Sequence, residues 1–95
     1  MPTIRPADQL GPVLTGRGEA TVLRRRIEQI AQSNETVVVD FTGVITASPS
    51  FADELFAKLD SALVADGRVT FANVPASVAA IARYVRAGRS PVLPG

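Results

Sequence analysis

Three consecutive valines, Val37, Val38 and Val39, constrain the fold of this chain more than any other feature. β-Branched side chains lose rotamer freedom in a helix and pack well on a pleated sheet. A run of them without polar alternation fits a strand covered on both faces, as in a parallel sheet between helices. "TVVVDF", residues 36–41, therefore reads as a buried strand. Before it, "RGEATVLRRRIEQIAQSN" carries Ala20, Leu23, Ile27 and Ile30 at helical spacing, an apolar stripe facing a core. Thr15 or Gly16 would cap this helix, Glu19 suits its first turn, and Asn34 suits its end. After it, "PSFADELFAKLDSALVA" reads as a second helix over residues 49–65, burying Phe51, Leu55, Phe56, Leu59 and Leu63. Asp66 and Gly67 make a turn, and "RVTFANV" is another strand. Pro75 opens a third helix with Val78, Ile81 and Val85 on the inner face and Gly88 at its end.

Strands joined by helices run parallel, with right-handed crossovers. The expectation is an α/β domain with an about four-stranded mixed sheet, the two clearest strands central, and three main helices. Residues 1–12 are broken by Pro2, Pro6, Gly11 and Pro12 and read as an irregular N-terminal segment. Ile4 and the pair Val13–Leu14 each suit a short edge strand, where proline is tolerated. Residues 89–95 read as a C-terminal tail. A chain of 95 residues rarely divides, and 46% hydrophobic composition supplies one core, so residues 1–95 are expected to form a single domain.

What the chain lacks narrows its chemistry. It contains no cysteine and no histidine, which removes disulfides, thiolate nucleophiles, His-ligated zinc and every Ser-His or Cys-His arrangement. Lys58 is the only lysine and Tyr84 the only tyrosine. The expectation is a protein without catalysis, metal or cofactor. A net charge of +1 offers no electrostatic case for nucleic acid or membrane binding. The one basic run, Arg24-Arg25-Arg26, falls mid-helix. There Arg26 can lay its stem along the stripe, Arg24 and Arg25 point outward, and Arg24 pairs with Glu28 at i,i+4. No apolar run approaches the ~20 residues of a membrane span, and the N-terminus has no signal-peptide pattern. A cytoplasmic protein is expected. The abundance of Ala, Val, Arg and Asp is compatible with a GC-rich bacterial genome.

Functional groups in open α/β sheets gather beyond the carboxyl ends of the strands. That edge would hold Asp40, Thr42, Ser48, Ser50, Asp53, Glu54 and Asn73 as one rim. Two structural duties compete for the serines. Ser50 with Asp53 has capping-box spacing, and Ser48 followed by Pro49 fits an N-cap followed by proline at the first helical position. Asp40 sits at a strand end like the phosphoacceptor of a receiver domain. The acidic pair and the later lysine that such a site needs are missing, so Asp40 reads as an acceptor for loop amides. The glycines are scattered and form no phosphate loop.

"VVVDFTGVITASPSFADELF" resembles the STAS domains, the sulfate-transporter and anti-sigma-factor-antagonist family. It is most similar to the STAS-like subfamily of uncharacterised function, whose motif runs "DF-x-G-V … SFADELF". "RGEATVLRRRIE" resembles that subfamily's R-x-x-A helix, and "VTFANVPASVAAIARYV" resembles its next strand and helix. The resemblance covers about residues 13–87 and implies a STAS-like fold. In anti-sigma-factor antagonists, a serine at the start of the corresponding helix is phosphorylated by a histidine-kinase-like ATPase, which breaks their complex. By that resemblance the serine falls on Ser50. The family's acidic residue falls on Ser48 and its glycine on Phe51, two departures from the kinase's usual target.

The resemblance also makes the "RGEA" and "FADE" segments recurrent features of the subfamily, which links them. A cation in the first turn of a helix opposes the helix dipole. Arg17 is therefore expected to pair with Asp53 or Glu54. The leading expectation is a non-catalytic regulatory module that binds a protein, a histidine-kinase-like ATPase or related regulator, through the rim around Ser48 and Ser50. Either serine is a candidate for phosphorylation. One alternative is a small nucleotide- or anion-binding domain using the same rim. Another is a structural subunit that oligomerises through its helix surfaces.

Overall fold

A computed structural model describes residues 2–33 and 35–87. The chain opens with β1 (Thr3–Ile4), α1 (Pro6–Leu10) and β2 (Val13–Leu14), then α2 (Arg17–Gln32) and β3 (Val37–Asp40). β4 (Thr46–Ala47) leads into α3 (Pro49–Ala52), which continues as a π-helix over Asp53–Ala57. α4 (Ser61–Ala65), β5 (Val69–Ala72) and α5 (Ala76–Arg86) complete the described chain.

The valines form β3, the centre of a three-stranded sheet ordered β1-β3-β5. Both pairings are parallel, with Val39 opposite Ile4 on one side and Phe71 on the other. β2 and β4 form a separate two-stranded parallel sheet, Val13 opposite Thr46. The expected mixed sheet of about four strands is thus five strands among the described residues, in two sheets with parallel pairing throughout. β5 lies at an edge rather than in the centre. Val37 and Val39 are fully buried while Val38 is half-buried, so one face of the sheet is covered more completely than the other.

Two expected boundaries are corrected by local chemistry. Residues 6–10 form a short helix instead of irregular chain. Pro6, at its start, has no amide to leave unpaired, and Gly11 ends it with φ at +84°. The helix expected over residues 49–65 is broken near Asp60, whose ψ of 113° is not helical. Asp60 then caps α4, its Oδ1 accepting from the Ala62 amide at 3.0 Å. At the start of α2, Gly16 rather than Thr15 is the N-cap, without a side-chain bond. The end positions assigned to Asn34 and Gly88, and the tail 89–95, lie outside the described residues.

One apolar core joins these elements. Ala20, Leu23, Ile27 and Ala31 of α2 meet Phe51 and Leu55, with Val78 and Val85 from α5. Full burial of side chains such as Phe51 and Leu55 stabilises by about 1.5–3 kcal/mol each. Ile30 and Ile81 pack against this core only half-buried. Phe41 stacks on Phe56 and Phe71 is tilted against both, with centroids 5.0–6.2 Å apart.

Candidate functional site

The rim residues fall into two hydrogen-bonded groups. The first lies at the carboxyl ends of β1, β3 and β5. Asp40 Oδ1 accepts from the Thr42 amide at 2.9 Å, the Thr42 hydroxyl at 2.7 Å and Asn73 Nδ2 at 3.0 Å. Its Oδ2 accepts from Arg5 Nε at 3.2 Å. Asn73 takes φ of 55°, a left-handed conformation that asparagine tolerates better than most residues. Gly43, at φ 89°, turns the chain after β3, and the Val44 amide closes that turn on the Phe41 carbonyl at 2.9 Å. Bonds from Asn73, then from the Thr42 side chain and amide, hold the Asp40 carboxyl well below the usual carboxylate range. Asp40 therefore acts as an ionised knot that ties three strand ends together.

The second group surrounds the start of α3. Ser48 is the N-cap: its Oγ accepts from the Phe51 amide at 3.1 Å and donates to the Thr15 carbonyl at 3.1 Å. Its own amide donates to the Leu14 carbonyl at 2.8 Å. Pro49 takes the first helical position and fixes the entry, Ser50 is exposed at the second, and Phe51 turns fully into the core. Of the two capping arrangements open to the sequence, the Ser48–Pro49 one is formed. Ser50 carries no capping duty.

Asp53 and Glu54 follow at the head of the π-helix, where the Lys58 amide reaches the Asp53 carbonyl at 3.2 Å. Both carboxylates are buried. Arg17 Nη1 donates to Asp53 Oδ2 at 3.3 Å and to Glu54 Oε1 at 3.1 Å. Glu54 also accepts from Lys58 Nζ at 3.0 Å and from Arg24 Nη2 at 3.2 Å. Three cations thus converge on one buried carboxylate, which offsets the cost of removing it from water. Its pKa falls to about 2, chiefly through Lys58, with Thr21, Arg24 and Arg17 adding to the effect and burial opposing it. The same two carboxylates raise the pKa of Arg17.

Arg24 departs from its expected outward direction. It pairs with Glu28 at 3.1 Å as the spacing predicts, but its side chain is only 16% exposed and its other nitrogen faces Glu54. Arg25 and Arg26 are exposed, and Arg26 lines a groove with Leu10, Val22 and Leu23. Sequence reasoning missed Arg5, Arg24 and Lys58 as members of these groups. Lys58 was detectable, since Glu54 lies four residues before it on a helix. Arg5 and Arg24 reach their acids across long stretches of chain and left no local signal.

Among the described residues, no group of three or more acidic, cysteine or histidine side chains could hold a metal, and no helix is long and apolar enough to cross a membrane. Fold and site together describe a small α/β domain with a serine-bearing helix start beside a buried ionic cluster. Residues 19–74, more than half of the chain, match the STAS-like domain of unknown function (DUF4325), and the chain belongs to that family. No match was found among curated proteins or among solved structures.

Proposed function

We propose that this STAS-like domain is a non-catalytic regulatory module of the bacterial cytoplasm that binds a protein partner through the start of α3. The partner class that the family resemblance favours is a histidine-kinase-like ATPase or a related regulator, with Ser50 as the residue it modifies. One observation carries the reading. Ser48 makes the cap bond, so the neighbouring Ser50 is left exposed at a capped helix start without a structural task. A phosphate there adds about −1.5 to −2 charge beside Asp53 and Glu54, enough to turn away an acidic partner surface or recruit arginines. The nucleotide- or anion-binding alternative would need Asp40 and Asn73 released from their mutual bond.

Calorimetric titration of the purified protein into a histidine-kinase-like ATPase from the same genome tests the reading. Wild type and Ser50→Ala should bind alike, and Ser50→Asp should bind about tenfold more weakly through charge repulsion. Equal affinity for all three would reduce Ser50 to a surface residue. Absence of binding to any ATPase of that genome would remove the partner class.

A further inference from the structure

We infer that Arg17 is the internal receptor for a phosphoryl group on Ser50, so that modification loosens the joint between α2 and the π-helix. This deepens the regulatory reading and rests on it. Ser50 stands one turn before the two carboxylates, for the Asp53 amide donates to the carbonyls of Pro49 and Ser50. Helical side chains lean toward the N-terminus, which brings Asp53 and Glu54 back over the turn that carries Ser50. Arg17 Nη1 is bonded to both, at 3.3 and 3.1 Å, and so already sits against that turn. The bond from Ser48 Oγ to the Thr15 carbonyl holds the two segments side by side, two residues before Ser50 and two before Arg17. α3 is too short for its amides to hold a phosphate by themselves; the cation is what the site adds.

The arrangement permits the exchange. Arg17 has a side chain 49% exposed and so has room to turn, while its partners Asp53 and Glu54 are 12% and 6% exposed. Glu54 retains Lys58 at 3.0 Å and Arg24 at 3.2 Å when Arg17 leaves. A phosphoserine offers nearly twice the charge of a carboxylate and accepts a guanidinium fork through two oxygens. In the transfer itself, a partner kinase brings a nucleoside triphosphate. Ser50 Oγ forms the new P–O bond, the bond from the γ-phosphorus to the bridging oxygen breaks, and the diphosphate leaves with that electron pair. The hydroxyl proton passes to a base on the kinase.

Phosphoserine placed at position 50 during translation tests this in the full chain without any kinase. The second ionisation of the phosphate is followed by phosphorus NMR in three backgrounds: Arg17, Arg17→Lys and Arg17→Gln. With Arg17 its pKa should lie about half a unit or more below that in Arg17→Gln, the size expected of an exposed charge-assisted contact. Arg17→Lys should recover part of the lowering. Equal pKa values in all three folded proteins, checked by amide spectra, would overturn the inference. Such a result would leave the partner reading standing if Ser50→Asp still weakened ATPase binding. A lowered pKa in a protein that binds no ATPase would sustain Arg17 as receptor and remove the partner instead.

Discussion

Arg24 donates from Nη2 to Glu54 Oε2 at 3.2 Å, joining the middle of α2 to the π-helix across thirty positions of sequence. Removing the acid takes one of two carboxylates from a guanidinium that is only 16% exposed, leaving it Glu28, while Arg17 keeps Asp53 and the half-exposed Lys58 turns to water. Glu54→Ala is therefore expected to lower stability by about 1.5–3 kcal/mol, the range for hydrogen bonds to charged groups. Urea unfolding measures it. A loss within about 0.5 kcal/mol, the range of ordinary surface changes, would show that the cluster contributes no stability.

Ser48 and Ser50 should separate cleanly by stability. Ser48→Ala removes the cap and leaves the Phe51 amide without its acceptor, at a cost of about 0.5–2 kcal/mol. Ser50→Ala removes an exposed hydroxyl and should stay within about 0.5 kcal/mol of wild type. Thermal melts of the two variants decide it, and a larger loss for Ser50→Ala would reassign the cap.

Acid should weaken the fold through Glu54. Its ordinary pKa of 4.5 falls to about 2 in the folded chain. Between those values the unfolded chain binds the proton and the folded one does not, so stability is full above the upper value and drains away as pH falls toward the lower. Asp40 is shifted in the same direction and adds to the slope. Chemical unfolding at a series of acidic pH values should show a shallower decline in Glu54→Gln than in wild type. Parallel curves would exclude Glu54 as a source of the acid sensitivity.

Gly43→Ala should destabilise by about 1 kcal/mol or more, because L residues rarely adopt its φ of 89°. The added methyl would also meet Ala7 Cβ at 3.2 Å, so α1 must give way slightly. A melt unchanged from wild type would show that the turn relaxes freely.

Elements marked by their own local chemistry were legible. Three valines announced β3, the stripe from Ala20 to Ile27 announced α2, and Ser48–Pro49 was one of two caps on offer at the start of α3. α1 was hidden because Pro6 and Gly11 signal a break in sequence, although the same pair can bracket a single helical turn. The break at Asp60 was hidden because Leu59 and Leu63 keep helical spacing across it, so periodicity outweighed an Asp-Ser cap signal. β4 is two residues long and exists by pairing with β2, which no local pattern announces. Arg17 was placed against Asp53 and Glu54 through family likeness and the dipole argument. Arg24, looking out from the stripe by sequence, was turned inward by a charge on another element.

The π-helix over Asp53–Ala57 holds one more residue than an α-helix would use to climb the same distance. Its hydrogen bond skips five positions instead of four, as from the Lys58 amide to the Asp53 carbonyl. Chain length here, not only composition, sets the hydrogen-bond pattern of the helix. A version one residue shorter would close into ordinary helix and bring Lys58 three positions after Glu54, still on the same face. A single-residue deletion within this stretch would thus spare the Glu54–Lys58 pair and change instead which side chains the stretch turns into the core.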